Sequence, residues 1–105
     1  MEKQGILDFL QELQAFDKEL LANAVLEGGK QSVQGGRIKM YIIYENLAIQ
    51  QKLTPKEVES RITIAVQTLH HYGNLPLIRE TFGTREGRIF VTPLKFVRRM
   101  IKKFA

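Results

Sequence analysis

Few side chains in this sequence have the types and spacing that chemistry needs. His70 and His71 are adjacent, with no acidic or cysteine partner at metal-ligand spacing. Such a pair at a helix end fits a capping or surface role better than catalysis or metal binding. The chain has no cysteine, which excludes disulfide scaffolds, thiolate metal sites and cysteine nucleophiles. Gly28-Gly29 and Gly35-Gly36 do not lead from a strand into a helix carrying a Lys-Ser/Thr pair, so neither forms a phosphate-cradling loop. No nucleophile elbow and no paired buried carboxylates can be drawn from the sequence. The expectation is a protein that is not an enzyme and has no catalytic residues, metal or cofactor.

What remains is charge, and it is unevenly distributed. Residues 1–27 carry two basic groups against Glu2, Asp8, Glu12, Asp17, Glu19 and Glu27, a net of −4. Residues 28–78 are at +3, and residues 79–105 set eight basic groups against Glu80 and Glu86, a net of +6. A gradient of this kind suits one surface to a polyanion and another to something else. An unevenly charged solubilising surface fits it equally.

These groups need elements to position them. With 105 residues there is room for one domain, large enough to bury a core without metal or disulfides. No apolar run approaches the ~18 residues that span a bilayer, and Met1-Glu2-Lys3-Gln4 lacks a signal-peptide layout. A cytoplasmic protein with no membrane partner is expected. Ile6, Phe9, Leu13, Phe16 and Leu20 recur at steps of three and four, and Leu10, Leu21 and Ala24 widen the stripe. This spacing predicts one helix over about 5–27, ended by Gly28 and Gly29 and followed by a loop to Gly36. Arg37–Gln51 combines strand-forming residues with an uninterrupted continuation and reads as a largely buried helix. Thr54-Pro55-Lys56-Glu57 is a capping box with proline at the first helical position. It starts a helix whose face is Val58, Ile62, Ala65, Val66 and Leu69. Leu75–Phe82 reads as a strand, Gly83–Gly87 as a turn and Arg88–Val91 as its return. Thr92-Pro93 starts a last helix over about 93–104. Leu94, Val97, Met100, Ile101 and Phe104 form its apolar side, and Lys95, Arg98, Arg99, Lys102 and Lys103 its basic side. Those last cations are either the polar side of an amphipathic helix or contacts for phosphate or an acidic partner.

Residues 47–62, from Leu47 to Ile62, resemble a bacterial or archaeal helix-turn-helix. Ala48 is the small residue at the crossing, Leu53 the apolar turn residue and Thr54 the cap, with Val58 and Ile62 at the core positions that follow. Residues 73–93 then resemble the wing of winged-helix regulators of the multiple-antibiotic-resistance type. The resemblance covers about residues 45–93. Two features depart from it: Lys52 stands where glycine is frequent, and Glu57 and Glu59 put negative charge on the presumed recognition helix.

The resemblance implies a mostly α fold with a β-hairpin wing (α+β), a winged helix-turn-helix that binds double-stranded DNA. Helix 54–72 would enter the major groove and hairpin 75–92 would serve as wing. The implied contacts are Thr54 and Lys56 to the backbone, Glu57 to a cytosine amine and Arg61 to a guanine edge. Ser60 and Gln67 complete the helix face, and Thr84, Arg85 and Arg88 reach out from the wing tip. Proteins of this type commonly dimerise, and the seam expected here is Ile6, Phe9, Leu13, Phe16 and Leu20. The alternative for these five is packing within their own domain. The function expected is that of a homodimeric transcriptional regulator or DNA-organising protein. A winged-helix module that holds a protein partner within a larger assembly is the alternative, favoured by Glu57 and Glu59.

Overall fold

The first helix expected from the periodicity is two helices. A computed structural model describing all 105 residues has α1 at Lys3–Glu12 and α2 at Lys18–Val33. Between them Gln14 (φ 58°) and Asp17 (φ 53°) take left-handed conformations, and Ala15 N–H donates back to the Leu10 carbonyl at 3.0 Å. The cause of the break lies 60 residues away in the chain. Asn74 N–H donates to the Leu13 carbonyl at 2.9 Å, and Asn74 Nδ2 donates to that of Glu12 at 3.2 Å. Carbonyls left free by the end of a helix are therefore satisfied by a tertiary partner rather than by another turn. Gly73 allows this approach, because a Cβ there would stand 3.1 Å from the Leu13 oxygen and 2.3 Å from Ile78 Cδ1. The break folds α1 against α2, so both contribute to one core.

Gly28 and Gly29 do not end α2; both are buried inside it. A Cβ on Gly28 would stand 2.5 Å from Val97 Cγ1 and 3.1 Å from Ile101 Cδ1. Gly28 thus marks a helix crossing too close for any side chain. Residues 34–39 are the loop that remains. The helix expected next is α3, Met40–Gln51, buried along Ile43, Tyr44, Leu47 and Ala48. Lys52 follows in the left-handed conformation (φ 56°), and Leu53 N–H closes the turn on the Ala48 carbonyl at 3.0 Å.

The capping box opens α4, Pro55–Tyr72. Glu57 N–H donates to Thr54 Oγ1, and the Thr54 hydroxyl donates to Glu57 Oε1, both at 3.1 Å. Glu57 therefore reaches back to the hydroxyl rather than to the Thr54 amide. Val58, Ile62, Ala65, Val66 and Leu69 are all buried, as their spacing requires.

The strand expected over 75–82 is a helix, α5, Leu75–Phe82. Asn74 caps it, with its Oδ1 accepting from Leu77 N–H at 3.4 Å, and Pro76 sits in its first turn, where a missing amide hydrogen is harmless. Ile78 and Phe82, four apart, are fully buried, which is helical spacing. The hairpin shrinks to β1, Thr84–Arg85, and β2, Arg88–Ile89, with Thr84 opposite Ile89 and Arg85 opposite Arg88. Glu86 (φ 53°) and Gly87 (φ 77°) supply the two positive φ angles of a type I′ turn. Last comes α6, Pro93–Phe104, capped by Thr92 Oγ1 accepting from Lys95 N–H at 3.1 Å. It buries Phe96, Val97, Met100 and Ile101, and Phe96 stacks on Phe82 at 5.6 Å. Leu94 and Phe104, expected on that face, are only half-buried, and Phe96 is the residue the spacing missed. The fold is mostly α with a small antiparallel hairpin, built on one cluster of 26 buried apolar residues.

Candidate nucleic-acid interface

The solvent side of α4 follows from its buried side. Lys56, Ser60, Thr63, Gln67 and His70 recur at steps of four and three in one stripe away from the centre of the core face; Lys56, Ser60 and Gln67 are exposed, and Thr63 and His70 are half-buried. Toward its C-terminal end this stripe forms one wall of an open groove of about 880 Å³. Arg79 and Leu75 of α5 and Arg88, Ile89 and Phe90 of the hairpin line the rest. Two of the residues expected at an interface, Gln67 and Arg88, meet here. Lys56 and Ser60 lie on the same side of α4, with Lys56 three turns or about 16 Å before Gln67. Arg79, His70 and His71 join the groove without having been expected there. Only the conversion of 75–82 from strand to helix brings Arg79 in, and no local signal announces it.

At the hairpin, exposed Phe90 organises two cations. The Arg85 guanidinium lies 5.1 Å from its ring centroid and the Lys95 ammonium 5.9 Å, distances at which a cation is attracted to a ring face. Lys95 Nζ also donates to the Phe90 carbonyl at 3.0 Å. The basic side of α6 starts here. It continues for about 12 Å to Lys103, whose ammonium is 4.5 Å from the Phe9 ring. The three ion pairs of the structure are Lys3–Glu19, Lys30–Glu27 and Arg61–Asp17. None of them uses any of the eight cations of residues 79–105.

Arg61 is not placed as expected. Its Nε and Nη2 grip the Asp17 carboxylate at 2.9–3.1 Å, so its donors face the α1–α2 turn and not a base edge. Thr54 and Glu57 are engaged with each other in the cap, and Thr84 is exposed at the foot of the hairpin. The seam expected along one N-terminal helix is absent from this fold. Ile6, Phe9, Leu13 and Leu20 are buried in the chain's own core, because the break at residues 13–17 turns their faces inward. Phe16 alone is exposed, at 56%, and its ring meets Tyr72 edge-on at 6.5 Å.

Tyr44, on the buried face of α3, carries the one phenol withdrawn from solvent into the core. Burial pushes its phenol above the ordinary 10.0, and the charge of Glu59 adds to the rise. A phenol held neutral in this way cannot serve as a base near neutral pH. No group of three or more His, Asp or Glu side chains is placed to hold a metal ion. No helix is long and apolar enough to cross a membrane. Fold and site together define a mostly helical protein with a short hairpin beside a cationic groove. No protein-family model, curated protein or solved structure matches the chain.

Proposed function

We propose that the protein is a non-enzymatic double-stranded DNA-binding protein of winged-helix type, a transcriptional regulator or DNA-organising protein. In this reading α3, the Lys52 turn and α4 are the helix-turn-helix, and the β1–β2 hairpin is a short wing. One observation carries it. The polar stripe of α4 and the hairpin are two walls of one groove, and all eight cations of residues 79–105 lack an acidic partner within the chain. Phosphates are the natural counterions for such a set, since phosphate contacts dominate affinity for DNA. The wing differs from the expected pattern, being preceded by α5 instead of a strand. It is also only two residues long on each side.

Duplex binding measured across a salt series tests the proposal. If about five cations meet phosphates, the log–log slope should be about −4 to −5. Undetectable binding at low ionic strength, or binding insensitive to salt, overturns it. The second reading, a module that holds a protein partner, is favoured by a separate feature. Phe16, Ile64 and Tyr72 are 56, 60 and 69% exposed and cluster around the Arg61–Asp17 pair. Apolar groups gathered on a surface are typical of protein contacts. Charge reversal at Arg79 and Arg88 would leave partner capture through that patch intact while abolishing DNA binding.

A further inference from the structure

His70, in the last turn of α4, has both ring nitrogens engaged. Nε2 lies 3.1 Å from the Val91 amide nitrogen, and Nδ1 lies 3.3 Å from the Gln67 carbonyl oxygen. An amide can only donate, so Nε2 must present its lone pair; a carbonyl can only accept, so the proton must sit on Nδ1. The arrangement requires the neutral Nδ1–H imidazole. Val91 is buried and lies just before Thr92, the cap of α6. This is the only hydrogen bond that joins the hairpin and its exit segment, residues 84–92, to α4.

Protonation would give Nε2 a hydrogen of its own. Two donors would then face each other across 3.1 Å, and the Val91 amide would lose its acceptor, a costly state for a buried N–H. The charged and titratable groups nearby offer no compensation. His71 of α4, Arg79 of α5 and Arg88 of β2 line the same groove, and the Lys95 ammonium of α6 rests on the Phe90 carbonyl. No carboxylate lines it to receive the new N–H. We propose that His70 is a proton-sensitive latch, holding the hairpin against α4 while its ring is neutral and releasing it when protonated. Imidazole is the side chain whose charge ordinarily changes between about pH 5 and 8. The latch stands on its own geometry, whether or not the groove binds DNA.

Amide hydrogen exchange of the full chain, resolved by NMR between pH 8 and pH 5 with the His70 ring titrated in the same samples, tests this. Exchange reports local opening apart from global unfolding. One pH unit below the ring's midpoint about nine-tenths of the molecules carry a protonated ring, and Val91 should by then have lost most of its protection. Ile62 and Val66, in the middle of α4, should keep theirs. In His70→Gln the side-chain oxygen accepts from the same amide and does not titrate, so Val91 should stay protected throughout. Val91 protection that is level through the ring titration overturns the latch. So does a loss shared equally by Ile62 and Val66, or an equal loss in His70→Gln. Should His70→Gln not fold, the comparison of Val91 with Ile62 and Val66 in the unaltered chain decides alone.

Discussion

Arg61 and Arg88 carry the same charge but differ in what stands beside them. Arg61 is gripped by Asp17, so Arg61→Ala should leave duplex affinity nearly unchanged. It should cost less than about 1 kcal/mol in urea denaturation, since a partly exposed pair contributes little. Arg88 and Arg79 have no such partner. The double variant Arg79→Ala, Arg88→Ala should reduce the salt slope of DNA binding by about 2, with stability changed by less than about 0.5 kcal/mol. An unchanged slope would remove the groove from the interface. Tyr44 sets a pH dependence of its own. Its folded-state pKa lies above the unfolded 10.0, so the unfolded chain ionises first. Stability should therefore decline as pH rises past about 10, and Tyr44→Phe should flatten that part of a denaturation-versus-pH curve.

Among the elements, the crossing of α2 over α6 and the α3–α4 turn show how single positions govern helix geometry. Gly28→Ala drives a methyl into Val97 and should destabilise by about 1–3 kcal/mol, the usual cost of overpacking. Gly29→Ala meets only the flexible end of Met1. It should be neutral, or stabilising by up to about 1 kcal/mol, because alanine favours a helix interior. Thermal unfolding of the two variants side by side checks the contrast. Lys52, in the left-handed conformation, carries strain that glycine would relieve. Lys52→Gly should raise stability by about 1 kcal/mol without altering the fold, measured as a higher urea midpoint at constant slope.

At the scale of the whole molecule, the 26-residue cluster claims side chains that the local pattern offered to a partner. Leu13 is fully buried. Leu13→Ala should cost about 2–5 kcal/mol, and Phe9→Glu should unfold the chain, because an unpaired charge is forced into its interior. Neither should yield a folded, dissociated monomer, which sedimentation together with circular dichroism would reveal. Phe16→Ser, at the one exposed member of the set, should leave the fold intact.

Several elements were legible because their causes are local. Thr54 and Thr92 with their following prolines start helices wherever they stand, and a cap needs only its own first turn. The faces of α4 and most of α6 followed from a 3.6-residue period, which sorts side chains without reference to any neighbour. The charge gradient is a property of composition and needed no fold. The break at residues 13–17 required Asn74, more than 50 residues away, to satisfy the carbonyls of α1. Gly28 reads as a helix end until Val97 is seen against it. Leu75–Phe82 has apolar spacing that suits a strand or a helix, and the burial of Ile78 and Phe82 on one side chose the helix. The pairing of Arg61 with Asp17, and of Arg79 with Arg88 across one groove, likewise came from packing. Local rules determine which backbone a segment can adopt and which of its sides is apolar; only the close packing of the whole chain determines what each polar group finally meets.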